Sequence, residues 1–274
     1  MIESVLKEDE YRDEATGEIL CRFCHHARRK TFTCLGVEKE VSILCPCQEE
    51  KYQKEIAKKD QQAFIDLVQR HRSVDMTEKA LRGYTFANDK GYNGQIEIAK
   101  NYVKHWENMR ENGRGLLFWG GVGTGKTFLA GCIANALLEK GVRVMMTNFN
   151  RILNDLADFS GRNEKMDRLN QYPLLILDDL GVERSTGFVS EQMFSIIDSR
   201  YRSGLPMIIT TNLTLEEMRT TGDPDRKRIY DRILHHSIPV CVNGQNIRQQ
   251  EAAENMKAAK VLLKGEEQPA VSRT

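Results

Sequence analysis

Residues 120–127 read GGVGTGKT. They follow a short apolar run, LLFW at 116–119, and open a stretch at 126–140 whose apolar residues recur at helical spacing. A G-x-x-x-x-G-K-[ST] turn between a strand and a helix is built to hold a phosphate chain. Gly121, Gly123 and Gly125 let the backbone wrap the ligand with its N–H groups pointing inward. Gly120, Val122, Thr124 and Phe128 complete the nucleotide-binding segment, and the helix N-terminus adds a partial positive charge. Lys126 is placed to reach β- and γ-phosphates, and the Thr127 hydroxyl to ligate Mg²⁺. The alternative is a glycine-rich turn without a ligand, and the flanking strand and helix weigh against it.

Outward from this turn the same texture repeats. PLLILDD (173–179), VRVMMT (142–147) and PMIITTN (206–212) are short apolar runs ending in polar residues, as buried parallel strands do. Helical stretches lie at 149–159, 189–203 and 214–220. Strand–helix alternation from about residue 74 predicts an α/β fold, a parallel sheet with helices on both faces. Asp178 and Asp179 close one strand about fifty residues after the phosphate turn, where one acid would hold Mg²⁺ through water and the other polarise an attacking water. Asn212 ends the next strand, either to orient that water or to cap a turn. No N-K-x-D guanine-reading segment is present, which favours ATP. The run RKRIYDR (226–232) is either an exposed basic helix start or the source of an arginine finger for a neighbouring subunit.

Lys+Arg 40 against Asp+Glu 39 gives a net charge of +1, so any nucleic-acid contact must come from a local patch. With 40% hydrophobic and 29% charged residues, the composition is that of a soluble globular chain. No apolar stretch approaches the roughly 18 residues of a membrane span. The acidic start, MIESVLKEDE, is not a secretory signal, so a cytoplasmic protein without a membrane partner is expected. Residues 1–20 carry seven acids against two bases and read as a flexible or partner-facing leader.

Five of the seven cysteines, Cys21, Cys24, Cys34, Cys45 and Cys47, fall within 27 residues. In a reducing compartment such a cluster reads as metal ligands. Cys21 with Cys24, and Cys45 with Cys47, are paired short spacings able to close around one Zn²⁺. Cys34 sits in a predicted hairpin around Gly36 and is held in reserve with His25 and His26. A charged helix with a narrow apolar stripe is expected from Gln48 to about Arg72.

Together GGVGTGKT, LLILDDLGV, IITTN and RKRIYDRI resemble the AAA+ ATPases of the bacterial helicase-loader group, the DnaC type and its relative IstB. The resemblance covers about residues 75–250. It implies a Rossmann-like αβα P-loop ATPase core over 74–264, a small zinc-binding module over 1–47 and a helical linker over 48–73; the polar end GEEQPAVSRT reads as a frayed tail over 265–274. It places Asn212 at a sensor position, Arg228 as the finger with Arg232 one turn on, and Arg248 near a second sensor. Single-stranded DNA contacts fall by looser match on Phe159, Thr186 and Phe188, with Arg151 and Arg162 nearby; the competing reading makes both phenylalanines core. The implied function is an ATP-dependent loader acting on a replicative helicase hexamer and single-stranded DNA, a homo-oligomer in its ATP state, with slow hydrolysis. A transposition helper ATPase and a zinc-headed adaptor using ATP only as an assembly signal are the alternatives.

Overall fold

The computed structural model describes residues 6–34, 36–75, 79–157, 162–181 and 187–263. The expected frayed tail therefore lies outside the described residues. The chain divides into two compact units, Met1–Asp66 and Leu67–Thr274.

The first unit opens with two antiparallel hairpins. β1 (Glu10–Arg12) pairs with β2 (Ile19–Cys21), and β3 (Arg29–Cys34) pairs with β4 (Val37–Ser42). Gly36 turns the second hairpin at φ +77°, in the left-handed region where a glycine carries no Cβ penalty. The first hairpin corrects the expectation of a flexible leader. Glu10 is fully buried, its carboxylate between Arg28 at 3.2 Å and Arg29 at 3.6 Å. Asp9 accepts from Arg28 at 2.8 Å and from Gln48 at 2.7 Å, and the Arg28 guanidinium holds its carboxyl below the usual range. The acids of the leader are thus partly spent on a buried charge network, which excludes a free strand. Helix α1 (Pro46–Asp75) follows, and the division between the units falls within it.

After the end of α1, the second unit continues with two short 3₁₀ turns, Lys79–Gly83 and Phe86–Asn88, then α2 (Ile96–Lys104) and α3 (Trp106–Glu111). The core alternates thereafter: β5 (Gly115–Trp119), α4 (Lys126–Glu139), β6 (Val144–Asn148), α5 (Phe149–Ala157), α6 (Arg162–Asn170), β7 (Leu174–Leu180) and α7 (Gly187–Ser203). It ends with β8 (Met207–Thr211), α8 (Leu215–Thr220), α9 (Pro224–His236), β9 (Ser237–Cys241) and α10 (Ile247–Leu263). The five strands pair in parallel in the order β6-β7-β8-β5-β9.

Alternate strand residues feed two cores. Leu116, Phe118, Met146, Ile176 and Ile208 pack with Leu129, Ile133 and Trp106 of α4 and α3 on one face. Leu117, Leu175, Leu177 and Ile209 pack with Phe149, Ile196, Ile197, Ile229 and Ile233 on the other. This is the doubly covered parallel sheet that continuous apolar strands dictate. Among the described residues, no helix is long and apolar enough to cross a membrane.

Candidate phosphate-binding site and thiol cluster

The order of the strands brings the carboxyl ends of β5, β7 and β8 side by side, which places the phosphate turn, both aspartates and Asn212 around one opening. A cavity of about 340 Å³ lies there, lined by Val122 through Phe128, Asp179, Asn212 and Arg248, with Tyr84, Asp89 and Asn93 on its outer wall. Gly125 adopts φ +95° as the N-cap of α4, and a Cβ there would meet the Asn93 amide at 2.6 Å. The turn is thus closed by a side chain from 32 residues upstream, whose Nδ2 donates to the Gly125 carbonyl at 3.4 Å. On its other flank the Ile247 N–H, first in α10, donates to the Gly123 carbonyl at 2.9 Å.

Lys126 is 5% exposed. Its Nζ donates to the carbonyls of Gly120 (2.9 Å) and Gly121 (2.6 Å) and to Asn212 Oδ1 (2.8 Å). Burial lowers its pKa, opposed by the carboxylates of Asp179 and Asp178 and reinforced by Arg248. Thr127 Oγ1 donates to Asp178 Oδ1 at 3.0 Å. A hydroxyl and a carboxylate side by side are hard oxygen donors of the kind Mg²⁺ takes, so these two residues fit that ion. Asp179 lines the cavity at φ +56°, one of two non-glycine residues with positive φ among those described.

Arg228 and Arg232 lie on α9, away from the residues lining the cavity. Arg232 Nε bonds Asp198 at 2.7 Å and its guanidinium stacks on Phe194 at 4.5 Å. Arg228 is exposed, with its guanidinium 4.9 Å from the centroid of the same ring. Of the DNA-contact expectations, Phe159 and Thr186 lie outside the described residues. Phe188 stands in the first turn of α7 and is 43% exposed, so the alternative that it is a core residue does not hold.

In the first unit the Sγ atoms of Cys21, Cys24, Cys45 and Cys47 all lie within 4.8 Å of one another. Cys21 and Cys47 are 3.6 Å apart and Cys45 and Cys47 3.4 Å, close to the ~3.8 Å edge of a tetrahedron of ~2.3 Å zinc–sulfur bonds. His25, just after the first pair and at φ +57°, turns the chain so that its N–H returns to the Cys21 carbonyl at 3.0 Å. The second pair sits at the start of α1, where Gln48 and Glu49 N–H groups return to the Cys45 carbonyl at 3.0 and 2.9 Å. The His26 backbone N–H draws the Cys24 thiol down to about 5, while Cys47, crowded by the sulfurs of Cys45 and Cys24, is pushed up to about 12. Four soft donors with a thiolate among them fit zinc. His25 binds Tyr11 at 3.0 Å and His26 the Cys24 carbonyl at 2.8 Å, and neither belongs to the cluster. Nothing is described of the Cys34 side chain.

Sequence reasoning did not single out Asn93, Asn246 or Thr210. Asn246 packs its amide against Gly123 so closely that any Cβ there would collide. The signal for all three is spatial, a polar side chain meeting the turn or the acids across a long span of chain.

A family model described as IstB-like ATP binding protein matches residues 33–255. The replicative helicase loader DnaI of Bacillus subtilis (strain 168) is 29% identical over 188 residues, 62% of this chain and 60% of that protein. The replicative helicase loader DnaC of Escherichia coli (strain K12) is 30% identical over 166 residues, 58% of this chain and 65% of that protein. The chain thus spans less than two thirds of the length of either relative. The crystal structure of DnaI superposes with a TM-score of 0.51 at 25% identity, over 62% of this chain and 94% of that one.

Proposed function

The chain belongs to the family of IstB-like ATP binding proteins, and on that premise we propose that it is an ATP-dependent helicase loader. The observation that carries this reading beyond ATP binding is the four-thiol cluster on a unit separate from the phosphate-binding core. Such a head gives an ATPase a second, rigid surface with which to grip a partner. The similarity to two proteins named as replicative helicase loaders supports a hexameric helicase as that partner.

In this reading the N–H groups of residues 121–127 and the Lys126 ammonium bind the β- and γ-phosphates. Thr127 and Asp178 hold Mg²⁺, which supplies countercharge to the phosphates when bound. Asp179 faces the cavity and takes up the proton of the attacking water, and Asn212 orients that water. Arg228 of one subunit reaches the γ-phosphate of the next, so hydrolysis is slow in the monomer and faster in an assembled, cytoplasmic homo-oligomer. Zn²⁺ on the four cysteines holds the head together. Single-stranded DNA runs along Phe159, Thr186 and Phe188, the two phenylalanine rings offering sequence-tolerant stacking.

The test is co-elution of the full chain with hexameric helicases in the presence of ATP, using wild type and Cys21→Ser. ATP- and Cys21-dependent co-elution supports the loader. A second reading, a helper ATPase of transposition, is favoured by the family match itself. Failure to bind any helicase, together with ATP-dependent binding of duplex DNA, would replace the first reading by the second.

A further inference from the structure

β7 and β8 pair in parallel through Leu177 opposite Ile209 and resume at Leu180 opposite Thr211. Between these points two residues of β7, Asp178 and Asp179, face one residue of β8, Thr210. That count is a β-bulge, a device that bends a strand locally and re-aims a side chain. Here it aims Asp179 into the cavity at φ +56°, in the left-handed region that few residues other than glycine, asparagine and aspartate adopt.

The support is visible. Thr210 is fully buried, and its hydroxyl uses both of its capacities on the two acids. Its oxygen accepts the Asp179 backbone N–H at 2.9 Å, replacing the ladder bond that the bulge interrupts. Its proton goes to Asp178 Oδ1 at 2.5 Å, the same oxygen that accepts the Thr127 hydroxyl at 3.0 Å. Neighbouring positions 208 and 209 are isoleucines, and a valine at 210 would suit a buried strand at least as well. Only the hydroxyl distinguishes threonine from valine at this shape, and the hydroxyl is spent wholly on the catalytic acids.

We propose that Thr210 is a positioning residue for ATP hydrolysis: it fixes the Asp178–Asp179 bulge so that one carboxylate stays beside Thr127 and the other faces the nucleotide. The proposal rests on the reading of the cavity as an ATPase site. It acts on the chemical step rather than on nucleotide capture, because the hydrogen bonds of its hydroxyl go to the two acids and not to the phosphate turn or Lys126.

The experiment measures ATP affinity by titration, turnover at saturating ATP across a range of Mg²⁺ concentrations, and thermal melting, in the full chain. Thr210→Val is expected to keep its ATP affinity and lose turnover about 10–100-fold, the range for removal of an outer partner of a reactive group. Thr210→Ser, which keeps the hydroxyl and drops the methyl, is expected to restore turnover to within about threefold of wild type. A purely structural role would instead lower the melting temperature in both variants and leave turnover per folded molecule unchanged. Equal turnover in wild type and folded Thr210→Val overturns the proposal alone, as does a serine variant no faster than the valine one. If the valine variant does not fold, Thr210→Ala against Thr210→Ser makes the same comparison, and equal turnover there overturns it too. A wild-type chain that neither binds nor hydrolyses ATP overturns the ATPase reading and the proposal with it.

Discussion

The Lys126 ammonium donates a 2.8 Å hydrogen bond to Asn212 Oδ1, joining the phosphate turn to the end of β8 across 86 positions of sequence. An ammonium has three protons, and the carbonyls of Gly120 and Gly121 take the other two. Every donor of the lysine is therefore engaged, and these three bonds hold the ammonium between the phosphate turn and Asn212.

Lys126→Ala should therefore lose ATP binding. Two charged hydrogen bonds to phosphate at roughly 1.5–3 kcal/mol each correspond to at least about a hundredfold in affinity. Asn212→Ala should keep that affinity, because the lysine still reaches the phosphates, and lose turnover. Nucleotide titration of both variants checks the pair. Unchanged affinity in Lys126→Ala would remove the assignment.

The two arginines of α9 should separate. Arg232 is committed within its own chain to Asp198 and Phe194, whereas the Arg228 guanidinium is exposed and, among the described residues, has a ring contact only. Arg228→Ala is expected to bind ATP normally as a monomer and lose stimulated hydrolysis by about a thousandfold, the lower range for an arginine finger. Mixing it with Lys126→Ala should restore some turnover at mixed interfaces. Arg232→Ala is expected instead to cost about 1 kcal/mol of stability, kept small because the pair remains partly solvated. Wild-type stimulated activity in Arg228→Ala would move the finger elsewhere.

One Zn²⁺ per chain is expected on Cys21, Cys24, Cys45 and Cys47. The second hairpin buries little: every residue of β4 is exposed. A two-stranded hairpin with both sides in water is marginal on its own, so metal binding would supply the folding free energy. Elemental analysis of wild type and the four single Cys→Ser variants, with chelator melts read by circular dichroism, checks this. A chelator should unfold the head and leave ATP binding by the core intact. Retained zinc in Cys45→Ser with loss in Cys34→Ser would show a different ligand set.

Much of the sheet was legible because four of its strands are apolar runs that are largely buried. LLFW, VRVMMT, PLLILDD and PMIITTN coincide with β5, β6, β7 and β8 to within a residue or two. β9 (SIPVC) gave no such signal, because it is an edge strand with a proline and two exposed residues. The leader's hairpin was hidden for another reason. Its stability lies in Glu10 meeting Arg28 and Arg29, a long-range pairing that local composition reads as mere acidity. The phosphate turn announced itself through residues adjacent in sequence. Asn93, Asn246 and Thr210 act on it or on the acids only through space, and nothing in their immediate neighbours marks them.

Arg200 should be the most costly single truncation at the amino end of the sheet. It is 1% exposed and holds the carbonyls of Leu169, Tyr172, Pro173 and Pro206, at 2.7–3.3 Å, tying α6 to the starts of β7 and β8. Burial pulls its pKa down to about 10, still far above neutrality. Arg200→Met keeps the volume but leaves these carbonyls without their donor, at about 3 kcal/mol or more. Denaturant melts measure it, and a loss below about 1 kcal/mol would show that the carbonyls find other partners.

His236 gives the core a dependence on pH. It is 8% exposed on α9, with its Nε2 3.0 Å from the Leu205 carbonyl and its ring edge-on to Tyr201. Burial lowers its pKa below 6.5, the Leu205 carbonyl opposes this, and Arg200, Arg114 and His235 add to it by repelling a second positive charge. A histidine with a depressed folded-state pKa is held neutral by the fold. Its contribution is fully present above the unfolded value near 6.5 and is lost as pH falls through that value toward the lower folded one, because the unfolded chain takes the proton first. His236→Gln can still donate to Leu205 but cannot titrate. Between pH 7.5 and 5.5 the wild type should therefore lose more stability in denaturant melts than His236→Gln does. Parallel losses in the two proteins would mean that other groups set the acid sensitivity of the fold.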